Sequence, residues 1–535
     1  MNLSLNQSSC AGCPVSRRSV LAAGVAAGCT ACFGGLSPFK STAVAQNSGK
    51  KTRVRVIFSM SSAFSSDGET LTGSGWPNIG YDFRPNMAAT ISELREGCPD
   101  IEFLSSPANE AQTAEIIAAD NAVGDIDGYI VEQMIFSGGI IGPALDTGKP
   151  VISIDFPYGG TGGFLTYGAA MLRAQKPNYA FMSTLRLADL VAAAKCFPIA
   201  KGPGGVKAFV EAVTKVRKGI ADGARAKTDM SCIEDKVDVL STSDLLKELK
   251  TKKMLCYEGS WPQFIDGAKE SLGIDVIPRP FTELNGLWEK ADKDQAQEIV
   301  KRWKKESVGI IGVPDETLEK SARMYLAQKE CLKIHDAVAI TINCLSGFYG
   351  GAIFAYPCLG FHELLNEGLV GACECDNPST LTMVVMTAMT KGRPGFISDP
   401  FMDVSTKQVV YTHCVATNKV FGPQGPSNPY TIMTHSEDRQ GASVRSTLPL
   451  GYKTTSLEMR PDAKEILFHQ AKAVGNSTDD RACRTKLAAV PVGDYEKLFT
   501  EWDRWGWHRV TYYGDLREQI FALGDAVGWK VTEEA

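Results

Sequence analysis

Short apolar runs alternate with helix-like stretches along the first third of the chain, and this alternation narrows the folds open to it. The apolar runs lie at 54–60, 101–104, 128–131 and 150–154, and the helical stretches at 86–96 and 113–121. Such alternation is typical of a parallel sheet with crossover helices. We therefore predict a Rossmann-like domain over residues 52–175.

A second alternating block follows a polar, lysine-rich stretch. It has strand-like runs at 253–258, 274–277 and 308–313, and helical stretches at 296–305 and 314–328. We predict a second Rossmann-like α/β domain over residues 176–340, with the 308–313 strand among its helices. After about residue 340 the pattern changes to glycine-rich runs with period-two alternation, at 409–416, 430–434, 441–448 and 453–459. This pattern predicts a mainly antiparallel β domain over residues 341–535.

Length and charge exclude several classes of protein. A chain of 535 residues exceeds what one hydrophobic core supports, so division into domains is expected. The hydrophobic fraction of 44% and the charged fraction of 22% are those of a globular protein. A formal net charge of −5 without a long basic run argues against a nucleic-acid partner, because that binding depends on lysine and arginine at phosphates.

The first 45 residues have the pattern of a twin-arginine export signal. Arg17-Arg18 precedes a weakly apolar run at 21–36, and Ala43-Val44-Ala45 offers a small-residue cleavage site. The run is shorter than the ~20 apolar residues of a membrane span, and Ala26 disfavours a lipid anchor at Cys29. We expect cleavage after Ala45, export of the folded chain to the periplasm, and no stable membrane anchor afterwards.

The cysteines do not form a disulfide framework. Four of the fifteen lie in the predicted signal, which leaves eleven scattered from Cys98 to Cys483. An odd, dispersed set of this kind differs from the dense, even pattern of a small disulfide-stapled fold. We expect most of them to be buried free thiols.

Residues 371–383, GACECDNPSTLTM, place two cysteines and two acids in four consecutive positions. On a strand over 369–375, Cys373 and Cys375 would share one face, and Glu374 and Asp376 the other. Two cysteines without a second pair make a poor zinc site. The two acids give more information about a possible metal site.

A helix is predicted after this cluster, at 379–391, with Ser379 as its cap, and a strand follows at 395–399. If the two strands are neighbours in one sheet, they lie ~4.8 Å apart and carry Glu374 and Asp399 side by side. Two carboxylates so close repel each other unless a divalent cation neutralises both. The pair therefore indicates a metal site.

The stretch from Gly371 to Asp399 resembles the L-fucose isomerase and L-arabinose isomerase-like family of metal-dependent aldose–ketose isomerases. The resemblance implies that Glu374 and Asp399 are metal ligands and acid/base catalysts. It also implies that His508, within GWHRVTYYGD, completes the metal site and that the protein is a homo-oligomer. The chain departs from the family in its export signal, in Cys375 and in the unmatched stretch 343–347.

The resemblance predicts an aldose–ketose isomerase that acts on a free sugar through an enediol. The carboxylate and imidazole donors favour Mn²⁺. A related metal-dependent epimerase or lyase also begins by removing a proton beside a carbonyl and stays open. So does an exported sugar-binding protein, because two α/β domains flanking a cleft describe such receptors as well.

The remaining candidates are sugar contacts. His413, in a predicted strand, is interpreted as a sugar contact or a support for the metal site, His435 as a loop residue near the ligand, and Trp507 as a stacking platform. The glycines at 159–163 lack the lysine of a phosphate loop and suggest a mobile loop beside the substrate. His335 is expected to end a helix, and His362 and His469 to lie in helices at the surface.

The export prediction is directly testable. Replacing Arg17 and Arg18 together by lysine is expected to retain the protein in the cytoplasm, because the export machinery reads the arginine pair. Cell fractionation and immunoblotting measure the distribution. Replacing Lys50 and Lys51 by arginine serves as a control. Unchanged export of the double variant would remove the twin-arginine interpretation.

Overall fold

The computed structural model describes residues 50–60, 78–136, 139–225 and 227–535. The predicted export signal, residues 1–45, lies outside this part of the chain. Within the described residues, no helix is both long and apolar enough to cross a membrane.

The first sheet is parallel throughout, with strand order β2-β1-β3-β4-β5. Its strands are β1 Thr52–Ser59, β2 Ile101–Ala108, β3 Gly128–Gln133, β4 Val151–Asp155 and β5 Tyr179–Ser183. Every residue of β3, β4 and β5 is buried, as expected of parallel strands covered on both faces. The helices of this part are α1 Arg84–Gly97, α2 Glu110–Val123, α3 Gly142–Leu145, α4 Thr161–Arg173, α5 Leu187–Ala194 and α6 Gly205–Arg225, with a 3-10 turn at Phe197–Lys201.

The second sheet is also parallel, with order β10-β9-β6-β7. Its strands are β6 Lys253–Tyr257, β7 Asp275–Arg279, β9 Ala339–Ile342 and β10 Val370–Cys373. The helices that accompany it are α7 Thr242–Leu249, α8 Pro262–Leu272, α9 Phe281–Lys290, α10 Lys293–Glu306, α11 Asp315–His335, α12 Cys344–Tyr349, α13 Cys358–Asn366 and α14 Asn377–Met389.

The third sheet closes into an antiparallel barrel. It has the order β15-β18-β11-β12-β17-β16-β19, and β16 also pairs with β15, which joins the two sides. Its strands are β11 Phe396–Asp403, β12 Gln408–His413, β15 Lys453–Arg460, β16 Glu465–Asn476, β17 Thr485–Pro491, β18 Arg509–Tyr513 and β19 Lys530–Glu533. Helices α15 Tyr495–Glu501 and α16 Arg517–Val527 and a 3-10 turn at Trp502–Trp505 complete this part.

A small sheet, of order β14-β13-β8, corrects one prediction. It contains β8 Gly309–Ile311, β13 Tyr430–Met433 and β14 Ser443–Ser446. The run at 308–313 is a strand, but it pairs with β13 and not with the second parallel sheet. With only three residues, none of them buried, β8 is an edge strand that local periodicity cannot assign to one sheet or another.

The fold class is confirmed: two Rossmann-like parallel sheets with helices precede a mainly antiparallel β structure. The sheets do not follow the predicted boundaries, however. The first sheet takes β5 from beyond residue 175, and the second takes β10 from beyond residue 340. Composition changes along the chain do not reveal which sheet a later strand joins.

The condition that β10 and β11 are neighbours in one sheet is not met. β10 belongs to the second parallel sheet and β11 to the barrel, and α14 connects the two sheets rather than two strands of one sheet. Ser379 is also not the helix cap. Asp376 caps α14, and its carboxylate accepts a hydrogen bond from the Ser379 backbone N–H at 2.9 Å.

Two histidines predicted to lie in surface helices are buried. His362 lies in α13 with 1% of its surface exposed, and its Nδ1 is 2.5 Å from the Ala416 carbonyl. His469 lies on β16, not in a helix, and its Nδ1 is 2.6 Å from Oε1 of Glu534. Each histidine has a polar partner from a distant segment, and local polarity does not predict such a partner. His335 ends α11 as predicted.

The eleven cysteines among the described residues are free thiols, and nine are buried, which confirms that prediction. Cys373 and Cys375 diverge: the Cys373 Sγ is 3.3 Å from that of Cys344, whereas the Cys375 thiol donates to the Gly259 carbonyl at 3.0 Å.

A buried ion pair fixes the start of β18. The Arg509 guanidinium lies 2.9 Å from the Glu534 carboxylate, and both side chains are completely buried. Burial acts to raise the pKa of Glu534, but the charges of Arg509 and His469 outweigh it and lower that pKa to about 2. Arg509 also donates to the carbonyl of His508 at 2.8 Å. The pair therefore holds the backbone on which His508 is mounted.

Breaking this pair is expected to destabilise the fold. Arg509→Met leaves a buried carboxylate without its cation, and we expect a loss of about 3–5 kcal/mol in the free energy of unfolding. Arg517→Met is the matched control, because Arg517 pairs with Glu533 at the surface, where solvent screens the pair and little stability should be lost. Urea denaturation measures both variants. Equal losses of unfolding free energy in the two variants would show that burial does not decide how much an ion pair stabilises this fold.

Candidate active site

Glu374 lies in a strained turn and not on a strand. β10 ends at Cys373, and both Glu374 and Cys375 have left-handed backbone angles, with φ of 66° and 54°. Two consecutive non-glycine residues in this region are uncommon and cluster at functional sites. The predicted alternation of side chains from Cys373 to Asp376 was therefore wrong, because the strand ends before it would apply.

The other acid and two histidines come from neighbouring barrel strands. Asp399 on β11 is paired with Thr412, next to His413 on β12. On its other side, β11 pairs with β18 so that Ser398 faces Arg509, which places His508 beside Asp399. Antiparallel pairing thus brings together residues from three separate segments. The turn after β10 adds Glu374 from the second parallel sheet.

The structure brings the predicted metal residues Glu374, Asp399 and His508 close together. The Nε2 atom of His508 lies 3.4 Å from Oδ1 of Asp399 and 3.8 Å from Oε2 of Glu374. His413, interpreted from sequence as a sugar contact or a support, belongs to the same cluster, with its Nε2 at 3.8 Å from Oε1 of Glu374.

There are two overlapping sets of potential metal ligands, and within each set the ligand atoms all lie within 4.8 Å of one another. One set is Cys373, Glu374 and His413, and the other is Asp399, His413 and His508. His413 belongs to both sets. It is 1% exposed, and neither of its ring nitrogens has a hydrogen-bond partner among the described residues. A buried polar group without partners is costly, so its position indicates a ligand.

Asp376 orients His508. Its Oδ2 lies 2.8 Å from Nδ1 of His508, while Nε2 of His508 faces the cluster without a hydrogen-bond partner among the described residues. A carboxylate on one ring nitrogen fixes the tautomer and leaves the other nitrogen free to bind a cation. Trp507 also supports the cluster, because its indole N–H donates to Oδ1 of Asp399 at 2.7 Å.

The electrostatics of the cluster reflect buried, crowded acids. Burial and the charge of Asp399 raise the pKa of Glu374 well above its usual value. Burial also acts to raise the pKa of Asp399, but the His508 imidazole, 3.4 Å away, outweighs it and lowers that pKa. Burial alone would lower the pKa of His508, but Asp376 and Asp399 raise it well above normal. Burial lowers the pKa of His413 to about 4, so its imidazole is neutral.

A cavity of about 760 Å³, a size typical of small-molecule sites, is lined by Glu374, Asp376, Asp399 and His508. Aromatic side chains cover much of its wall, from Phe136, Trp261, Tyr349 and Trp507, and Glu437 adds a further acid. A larger, open cleft of about 1690 Å³ lies beside α10 and α11, but none of the predicted site residues lines it.

The other predicted residues have different surroundings. Trp507 lines the cavity, but its N–H is directed to Asp399. His435 is 4% exposed, is not among the residues that line the cavity, and has its Nδ1 at 3.1 Å from Oδ1 of Asp438. Sequence reasoning missed Trp261, Tyr349 and Glu437. Glu437 lies only two residues after His435, so the polar turn itself was the available signal.

The glycine-rich segment 159–163, predicted to be a loop, is partly helical. Helix α4 begins at Thr161 and includes the last two glycines. Glycine is required at Gly162 by close packing. A Cβ atom there would lie 2.4 Å from the indole nitrogen of Trp507. The segment thus positions Trp507, and through it Asp399.

Substitution of this glycine is expected to disturb the site. Gly162→Ala must displace the Trp507 ring from Asp399, at a cost of about 1–3 kcal/mol in the free energy of unfolding. Gly219→Ala is the matched control, because Gly219 lies in α6 with open space around it, and alanine there should stabilise by about 0.5–1 kcal/mol. Urea denaturation measures both. A neutral or stabilising Gly162→Ala would contradict the packing argument.

Comparison with known proteins relates the chain to sugar isomerases. No protein-family model matches it. It is 23% identical over 255 residues to a sulfoquinovose isomerase of Clostridium sp. (strain MSTE9), which covers 45% of this chain and 55% of that protein. Sulfoquinovose isomerases of Priestia aryabhattai and Priestia megaterium are each 23% identical over 261 residues, 48% of this chain and 57% of theirs.

Among solved structures, a periplasmic solute binding protein of an ABC transporter from Actinobacillus succinogenes, with bound D-allose, covers 63% of this chain and 88% of its own. The identity is 11% and the TM-score only 0.18. The chain spans just over half the length of the curated relatives it matches. Over about half of its own length, it is thus a distant relative of sulfoquinovose isomerases.

Proposed function

We propose that this protein is a metal-dependent aldose–ketose isomerase that acts on a free sugar through an enediol. The observation that carries the proposal is the clustering of Glu374, Asp399, His413 and His508, which come from four separate segments. Glu374, Asp399 and His508 also line one cavity. The distant similarity to sulfoquinovose isomerases supports the same reaction class. Each residue role below is part of the proposal.

The donors fit a divalent cation. Two carboxylates and two imidazoles are hard and intermediate ligands, which suit Mn²⁺. His413 and His508 each have a buried Nε2 without a hydrogen-bond partner in the described chain, and Glu374 is a half-buried acid in the same cluster as Asp399. Glu374, Asp399, His413 and His508 would hold the ion. When bound, it would polarise the sugar carbonyl and neutralise the carboxylates.

The protein side chains would then carry the proton. Of Glu374 and Asp399, one accepts the proton from the carbon next to the carbonyl, and the other supplies a proton to the carbonyl oxygen. The enediol is then protonated at the former carbonyl carbon while the hydroxyl on the neighbouring carbon gives up its proton to a side chain and becomes the new carbonyl. The sugar is thus isomerised without net oxidation or reduction. Asp376 keeps His508 in one tautomer, and Trp507 keeps Asp399 in place.

The proposal extends to location and assembly. The support for export to the periplasm is the sequence of residues 1–45 alone. The support for a homo-oligomer is the family resemblance alone. A sugar-binding protein remains the alternative. It needs hydrogen bonds to sugar hydroxyls, but it does not need a cluster of carboxylates and imidazoles.

The mechanism is testable by isotope exchange. Metal-loaded protein incubated in D₂O with aldoses and ketoses is expected to place deuterium at the carbon next to the carbonyl, because a side chain can exchange the proton it carries with solvent. Glu374→Gln keeps the shape but loses basicity, and exchange should fall at least about a hundredfold. Chelation should abolish exchange and Mn²⁺ restore it. Mass spectrometry and NMR measure the label.

Glu115→Gln, an exposed change on α2, is the matched control and should exchange like the wild type. Sugar binding without exchange or conversion across the whole panel would favour the sugar-binding protein. Conversion without exchange would indicate a hydride shift and exclude the enediol. Unchanged exchange in Glu374→Gln would remove Glu374 from the mechanism.

A further inference from the structure

Glu437 is an acid in the active-site cavity that the proposed reaction does not use. It lies in the turn between β13 and β14 and lines the same cavity as Glu374, Asp399 and His508. It belongs to neither set of potential metal ligands. Its carboxylate is therefore placed for a part of the ligand beyond the cation.

Among the described residues, only one oxygen of the Glu437 carboxylate has a hydrogen-bond donor. The hydroxyl of Tyr349 donates to Oε2 of Glu437 at 2.7 Å. Within the described part of the chain, Oε1 has no hydrogen-bond donor, and no lysine or arginine forms an ion pair with the side chain. A carboxylate only accepts hydrogen bonds, so Oε1 can bind a hydroxyl from the cavity.

A second tyrosine–glutamate pair shows what a structural version of this arrangement looks like. Tyr325 on α11 donates to Oε1 of Glu367, and there the other oxygen is neutralised by Lys329 at 2.6 Å. Glu367 is thus satisfied within the protein itself. Glu437 differs, because within the described residues no side chain donates to its second oxygen. A half-buried carboxylate oxygen without a donor is unfavourable, and a ligand hydroxyl can supply that donor.

Hydrogen bonds and an ion pair hold the turn that carries Glu437. The His435 N–H donates to the Gln440 carbonyl at 2.7 Å, and the Gln440 N–H donates to Oδ1 of Asp438 at 3.1 Å. Arg439 is tied to Asp480 at 2.7 Å. Side chains held in this way keep their geometry when a ligand binds, as a recognition residue requires.

We propose that Glu437, held by Tyr349, is a substrate-binding residue that accepts a hydrogen bond from a sugar hydroxyl beyond the two carbons that react. This inference rests on the proposed function for the nature of the ligand. It assigns Glu437 to recognition, so that the configuration of a remote hydroxyl decides which sugars bind. Tyr349 acts through Glu437 as a positioning residue.

The test compares sugar binding by wild-type and variant proteins. Mn²⁺-loaded mature protein is titrated calorimetrically with the D and L forms of the common aldopentoses and aldohexoses. The tightest binder is then compared with its derivatives that lack one remote hydroxyl. Glu437→Met is expected to raise the Kd of the parent sugar about ten- to a hundredfold, the range for a hydrogen bond to a charged group. Tyr349→Phe should change it in the same direction by less.

For the deoxy sugar that lacks the contacted hydroxyl, the Kd values of the wild type and Glu437→Met should agree within about twofold. A merely structural role does not produce this result. Glu367→Met and Tyr325→Phe are the matched controls and should bind every sugar like the wild type. Unchanged parent binding in Glu437→Met, or an equal loss for every deoxy sugar, would overturn the inference.

The exchange experiment separates this inference from the proposed function. Weaker binding in Glu437→Met together with no exchange by the wild type would support the recognition role and remove the isomerase. Exchange by the wild type with unchanged binding in Glu437→Met would do the reverse. If the wild type binds no sugar of the panel, both fail.

Discussion

The candidate site depends on the two hydrogen bonds of the Asp376 carboxylate. One oxygen caps α14 at the Ser379 N–H, and the other lies 2.8 Å from Nδ1 of His508 at the start of β18. A single side chain therefore ties the second parallel sheet, through α14, to the barrel. Because it does so next to Glu374, it fixes the distance between the acid of one sheet and the histidine of the other.

Three acids crowd together at this junction. Glu374, Asp376 and Asp399 lie within one cavity, and His508 is shared between two of them. Burial raises the pKa of Glu374, while His508 lowers those of Asp376 and Asp399 against the effect of burial. Groups whose environments push their pKa values apart are typical of catalytic sites. The left-handed backbone at Glu374 and Cys375 indicates that the fold accepts strain to place these groups.

Glu374 and Asp399 lie close together for a different reason from the one the sequence offered. Glu374 and Asp399 were expected to meet because their strands would be neighbours, but β10 and β11 lie in different sheets. They meet because the end of β10 faces the barrel. His413 was interpreted as a sugar contact or support, yet its two unpartnered nitrogens lie among the potential ligands. Such a role depends on strand pairing between β11 and β12, which local periodicity does not encode.

The sequence by itself determined the properties that depend on near neighbours. These are the alternation of buried strands and helices, the antiparallel texture after residue 340, the buried free thiols, and the presence of acids at 374 and 399. Only the tertiary structure decided the properties that depend on distant partners. These are the sheet that β8 joins, the burial of His362 and His469, the packing of Gly162 on Trp507, and the pairing of Glu437 with Tyr349. The physical reason is range: hydrophobic periodicity reports which face of an element is buried, whereas contacts between segments that are distant in the sequence arise only when the sheets pack.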